Sequence, residues 1–179
     1  VAAAQGLGYL QEFIGRFTQT QPQGYSTINK TLDDSPTFFP VNQSIYVDAT
    51  HEVVVLDVLT ALNLTSVFGP KPVNATARTS GQPFVASQTV PFATHLVIQV
   101  LECAHYKPTK QIRFIVNDAV VPIHGSYTGC PKDQDGLCSF DTVVSALKKR
   151  AAEIDFVHDC FGNYTATVGH NYNGRAPRS

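Results

Sequence analysis

His51 and Glu52 stand side by side in YVDATHEVVVLDVLTAL, residues 46–62, with apolar runs on both sides. A histidine beside a carboxylate is equipment for anion binding and proton delivery. A protonated imidazole adds positive charge to an anion site, and a carboxylic acid can protonate a leaving group. The flanking pattern sets the geometry. SIYVDA, residues 44–49, reads as a short strand, and residues 51–62 read as a helix apolar almost all round, broken only by Asp57 and Thr60. The pair then falls at a strand-to-helix junction, where the free N–H groups of a first helical turn favour an anion such as phosphate. Ordinary capping fits the same residues, with Thr50 as N-cap and Glu52 favoured in the first turn by the helix dipole. The local pattern leaves both readings open.

Other histidines carry less. His95 lies in an apolar strand pattern and reads as a core or packing residue rather than a ligand, and His124 reads as a structural hydrogen-bonding group. His105, His158 and His170 sit in polar surroundings and are expected on the surface. No P-loop, G-x-S-x-G elbow, HExxH or EF-hand pattern occurs, and no cysteine or histidine spacing suggests a metal site.

The elements around the pair follow from periodicity. Leu7, Leu10, Ile14 and Phe17, with Phe13 alongside, fall on one face of a helix over residues 2–17, weakened by Gly6 and Gly8. Residues 19–44 and 66–90 read as loops rich in Pro, Ser and Thr. ATHLVIQVLEC and QIRFIVNDAVVPI read as two strands separated by a turn over residues 105–110. A further helix opens near Ser139 and closes in Lys148, Lys149 and Arg150, cations that suit a helix C-terminus. Helices alternate with strands, so the class is α/β.

The 179 residues are enough for one domain with a sizeable core. Charged residues make up 15%, well below the usual quarter or so, and the net charge of -1 excludes a basic nucleic-acid or membrane surface. No apolar run approaches the roughly 20 residues that span a bilayer. The chain begins at Val1 and holds no Met, which reads as a mature or cleaved product. Five of the eight asparagines, Asn29, Asn42, Asn63, Asn74 and Asn163, head N-x-[ST] sequons. That concentration suggests that glycans supply the missing surface polarity, and it points to the secretory pathway. The four cysteines fit that compartment. Cys130 and Cys138 bracket PKDQDGL and would close a short disulfide loop, and nothing forbids a Cys103–Cys160 bond.

Taken in order, AAQGLGYLQEFIGRFT, NKTLDDSPTFFP, IYVDATHE, VPFATHLVIQVLEC, FIVNDAVVPIHG, GCPKDQDGLCSFDTVV and a late DCF resemble the C-terminal part of fungal histidine acid phosphatases, the phytase group in particular. The resemblance covers residues 1–161 and leaves residues 162–179 as an unplaced C-terminal tail. It implies the C-terminal portion of a phosphoglycerate mutase-like α/β sandwich. It also implies a secreted, glycosylated, cofactor-free acid phosphomonoesterase. In that family a histidine in an Arg-His-Gly motif attacks phosphorus, while the histidine of a His-Asp pair binds phosphate and the acid protonates the leaving alcohol. His51 matches that second histidine, and Glu52 matches the acid.

Two departures qualify what carries over. Arg-His-Gly-x-Arg-x-Pro is absent, since the His124–Gly125 pair follows Ile123. The nucleophile is therefore expected on an N-terminal part of the same precursor, this chain being a piece of a nicked or truncated enzyme. In the family the cysteines matching Cys130 and Cys138 pair locally, while those matching Cys103 and Cys160 pair with the N-terminal half, so two bonds to that partner are expected. The second departure is chemical: glutamate stands where phytases carry aspartate, and Val53 stands where they usually carry a polar residue. A non-catalytic secreted protein on the same fold, binding anionic ligands through the cleft, is the alternative.

Overall fold

The computed structural model describes residues 1–23, 28–67, 85–165 and 176–177. They fall into two compact units. Val1–Leu62, Leu147–Tyr164 and Gly174–Ser179 make the first; Asn63–Ala146 and Thr165–Asn173 make the second.

The first unit is helical. The N-terminal helix is split at Gly6 into α1 (Ala2–Gln5) and α2 (Leu7–Thr18). α3 (Lys30–Asp33) is one turn capped by the Asn29 side chain, which accepts from the Thr31 N–H at 3.1 Å. α4 (Glu52–Ala61) opens at His51, whose backbone is extended. Leu7, Leu10 and Phe13 of α2 are buried, as the spacing predicts, with Leu59 and Ala61 of α4 also in the core. Gly6 explains the break between α1 and α2. A Cβ at this position would collide with the Asp57 carbonyl oxygen of α4 and lie 2.8 Å from the Ala61 Cβ. Only glycine lets the two backbones approach this closely. α2 ends at Gln19, whose φ of 53° is left-handed.

The strand expected over residues 44–49 does not form. This stretch pairs with no strand among the described residues, and Ile45 and Val47 are 80% and 88% exposed. A strand needs a neighbour to satisfy its backbone ladder, and none of the described residues supplies one. A helix so apolar is expected to be buried on several sides, but α4 is buried on one and open at its start: Val58 and Leu59 are buried, yet Val53 is 53% exposed and Val54 is exposed too.

The second unit holds the sheet. After α5 (Ala86–Thr89), β1 (Leu96–Glu102) and β2 (Lys110–Val116) pair antiparallel, with Leu96 opposite Val116 and Glu102 opposite Lys110. β3 (Ala119–Val120) and β4 (Cys138–Ser139) both pair with β2, giving an antiparallel four-stranded sheet. Ile112, Phe114 and Val116 alternate into the core, the period-2 signature of a strand. α6 (Phe140–Glu153) starts here, burying Val143 and Val144, and its residues from Leu147 belong to the first unit. α7 (Phe156–Phe161) completes the first unit. Residues 176–177 of the tail lie against it: the Ala176 N–H donates to Asp159 Oδ1 at 3.0 Å, and Tyr164 Oη donates to the Asp159 carbonyl at 2.8 Å. Helices with one antiparallel sheet keep the chain in the α/β class.

Candidate functional site

His51 is the N-cap residue of α4, at φ -96° and ψ 161°. Its carbonyl accepts the first helical bonds, from the Val54 and Val55 N–H groups at 3.1 and 3.2 Å. The capping role proposed for Thr50 is therefore not realised: the cap falls one residue later, and the His51 side chain makes no capping bond. Glu52 opens the helix, where the dipole favours a negative charge. Both side chains are exposed, and among the described residues neither takes a hydrogen bond or an ion pair. Among the described residues, the structure thus leaves an imidazole, a carboxyl group and the N–H groups of Glu52 and Val53 open together at one helix start.

α4 is held at its other end. Arg150 of α6, read from the sequence as a cation suited to the end of its own helix, is buried and reaches the last carbonyls of α4. Asp57, inside α4, is buried, and burial raises its pKa.

The approach to His51 is anchored by α2. Arg16 donates to both oxygens of Asp48, Nη1 to Oδ2 at 2.5 Å and Nη2 to Oδ1 at 3.0 Å. Its guanidinium lies 5.1 Å from the Phe39 ring centroid and 4.9 Å from that of Tyr46, a cation–π arrangement on both. The Tyr46 hydroxyl accepts from the Gln43 N–H at 3.0 Å. Other titratable groups crowd this corner. Burial, with Asp33 and Asp48 adding repulsion and Arg16 opposing it, pushes the Glu12 carboxyl up to about 6. Burial and the Asp48 charge push Tyr9 up to about 12. Sequence reasoning missed the contacts of Arg16, Asp48 and Arg150, because the partners of each lie far away along the chain.

The remaining expectations divide. Cys130 and Cys138 form the local disulfide, Cα to Cα 5.3 Å. Asp133 organises the loop between them: its Oδ1 accepts from the Asp135 and Leu137 N–H groups at 2.9 and 3.0 Å, and its Oδ2 accepts from Tyr106 Oη at 2.8 Å. The Leu137 amide is the main cause of a carboxyl pKa below the ordinary aspartate value. Cys103 and Cys160 are both free and half-buried. Asn29, Asn42 and Asn163 are exposed; Asn63 is half-buried and donates from Nδ2 to the Ser126 carbonyl at 3.0 Å; Asn74 lies outside the described residues. His95 is not a core residue. It is exposed just before β1, with Nε2 3.2 Å from Asp118 Oδ1 and Nδ1 3.3 Å from the Ala93 carbonyl, and these contacts raise its pKa, Ala93 first. His124 is exposed and forms no hydrogen bond among the described residues, against expectation. His105 is exposed as expected, while His158 is half-buried, its Nε2 3.2 Å from the Pro177 carbonyl. His170 lies outside the described residues. Among the described residues no cluster of His, Cys, Asp or Glu is arranged to hold a metal ion, and no helix is long and apolar enough to cross a membrane.

Residues 1–117 match the sequence model of the histidine phosphatase superfamily (branch 2), and the chain belongs to that family. Its curated relatives are fungal. It is 37% identical over 147 residues to a phytase A of Aspergillus awamori, covering 80% of this chain and 30% of the relative. To a phytase A of Aspergillus terreus it is 33% identical over 160 residues, covering 88% and 33%. To that of Arthroderma benhamiae it is 31% identical over 147 residues, covering 80% and 31%. The chain thus spans about a third of the length of these relatives.

Proposed function

We propose that residues 1–161 are the C-terminal part of a secreted, phytase-like acid phosphomonoesterase. One observation carries the reading: His51 and Glu52 open α4 together, exposed and without partners among the described residues. A protonated His51, beside the Glu52 and Val53 N–H groups of the first turn, binds the phosphoryl oxygens. A histidine of the N-terminal part attacks phosphorus, forming a phosphohistidine as the ester P–O bond breaks. Glu52 gives its proton to the departing alkoxide, and water then attacks the phosphohistidine to release inorganic phosphate. No metal or organic cofactor enters this scheme. The likeness to fungal phytases supports phosphate monoesters as the substrate class.

The N-terminal part is the partner, linked through Cys103 and Cys160, the two cysteines that are free in this chain. Glycans on Asn29, Asn42 and Asn163 fit the exposure of those residues; the Asn63 amide nitrogen keeps one hydrogen for Ser126 when glycosylated, and Asn74 completes the set. A second reading, a non-catalytic anion-binding protein, is favoured by the exposed Val53 in the first turn, where an apolar side chain offers phosphate nothing. Assaying the whole protein, N-terminal part included, on p-nitrophenyl phosphate and phytate across acidic pH separates the two. Hydrolysis supports the enzyme, and phosphate binding without turnover supports the binder.

A further inference from the structure

The backbone leading into His51 has no secondary structure of its own. Residues 45–50 form no strand among the described residues, and the apolar side chains of Ile45 and Val47 stand out in solvent. What holds this stretch is one guanidinium. Arg16 is fixed on α2, whose apolar face is buried in the core of its unit. Its fork takes both oxygens of Asp48, and it stacks against Tyr46 on one contact and the buried Phe39 on another. Asp48 lies three residues before His51, so about 10 Å of extended chain at most separates the anchored residue from the imidazole-bearing one.

Building on the roles given above to His51 and Glu52, we propose that Arg16 and Asp48 are positioning residues whose ion pair fixes the backbone that presents both groups. A bidentate fork suits this task better than an ammonium, because two parallel hydrogen bonds fix direction as well as distance. The aromatic contacts restrict the guanidinium further. Neither residue touches the reacting atoms. Their effect passes through the start of α4, where a displacement of roughly 1 Å can cost on the order of a hundredfold in rate.

The test compares wild type, Asp48→Asn, Asp48→Glu and Arg16→Lys in the whole protein. Hydrogen exchange is followed at the Val54 and Val55 amides, which bond the His51 carbonyl, and at Gln43, which bonds Tyr46. Amides of β2 serve as the control for global unfolding. Turnover of an alkyl phosphate and inhibition by inorganic phosphate are measured on the same samples. The expected result for Asp48→Asn and Arg16→Lys is about tenfold faster exchange at the three amides with β2 unchanged, and a fall in kcat on the order of tenfold to a hundredfold. Asp48→Glu, which keeps the charge, recovers part of both losses. Unchanged exchange overturns the proposal, and so does faster exchange with kcat and phosphate inhibition as in wild type. Asp48 is half exposed, so its substitution to Asn leaves the fold intact even where an Arg16 variant does not. A wild type that hydrolyses no phosphate ester removes the catalytic reading instead, and the exchange data then decide whether the pair anchors this backbone.

Discussion

Arg150 and Ala61, 89 residues apart in sequence, are joined at 3.2 Å by a hydrogen bond from the Arg150 Nε to the Ala61 carbonyl. Nη2 of the same side chain donates to the Thr60 carbonyl at 3.1 Å. The last carbonyls of a helix have no partner within it, and a cation is the favoured group to meet them. Arg150 does so while only 6% exposed, which makes the contact a fixed point for α4 and hence for the pair at its other end.

Arg150→Met should therefore destabilise the protein by about 2 kcal/mol, since buried carbonyls lose charged donors without gaining others. Urea unfolding checks this. An unchanged midpoint would mean that water replaces the guanidinium without loss. Arg150→Lys should fall between, because one ammonium reproduces the two-pronged contact poorly.

Gly6→Ala separates helix propensity from packing. Propensity alone predicts a gain of about 1 kcal/mol if the residue is helical. Contact with α4 predicts the opposite sign, because the new methyl group meets the Asp57 carbonyl and the Ala61 Cβ. Overpacking of this kind costs roughly 1–3 kcal/mol, so the melting temperature should fall. A rise would show that α1 and α4 part freely.

Glu12 gives the first unit a pH dependence. Its folded pKa of about 6 lies above the ordinary value of 4.5, so the folded state holds the proton more tightly than the unfolded one. The resulting stabilisation is complete below about 4.5, fades as pH rises to about 6, and is absent above. Glu12 is only partly buried, so after allowance for solvent screening the effect is about 1 kcal/mol. Glu12→Gln should raise the urea midpoint at pH 7 and leave it nearly unchanged at pH 4. Equal shifts at both pH values would contradict the account.

Much of the architecture is legible in the residues. The β-branched alternation of IRFIV announces β2, and the C-x₇-C loop announces its own disulfide. α4 falls within one residue of its expected ends. What stays hidden is whatever depends on distant partners. Ile45 and Val47 alternate like a strand, but alternation records a preference and cannot supply the neighbour that makes a ladder. Arg150 looks like a solvated helix end because nothing nearby in sequence signals the α4 carbonyls it meets. Arg16 and Asp48 lie 32 positions apart in sequence. His51 and Glu52 were visible as a pair, but their openness to solvent required the fold.

The central claim is that Glu52 protonates the leaving group, and Glu52→Gln in the whole protein tests it most directly. The measurement is kcat across phosphate esters whose leaving groups range from p-nitrophenol to a simple alcohol. Glutamine keeps the size of the side chain but has no acidic proton, so the account predicts little loss for p-nitrophenyl phosphate. For the alkyl ester it predicts a loss on the order of a hundredfold or more. An equal loss for every leaving group would contradict it and leave Glu52 as a binding residue only.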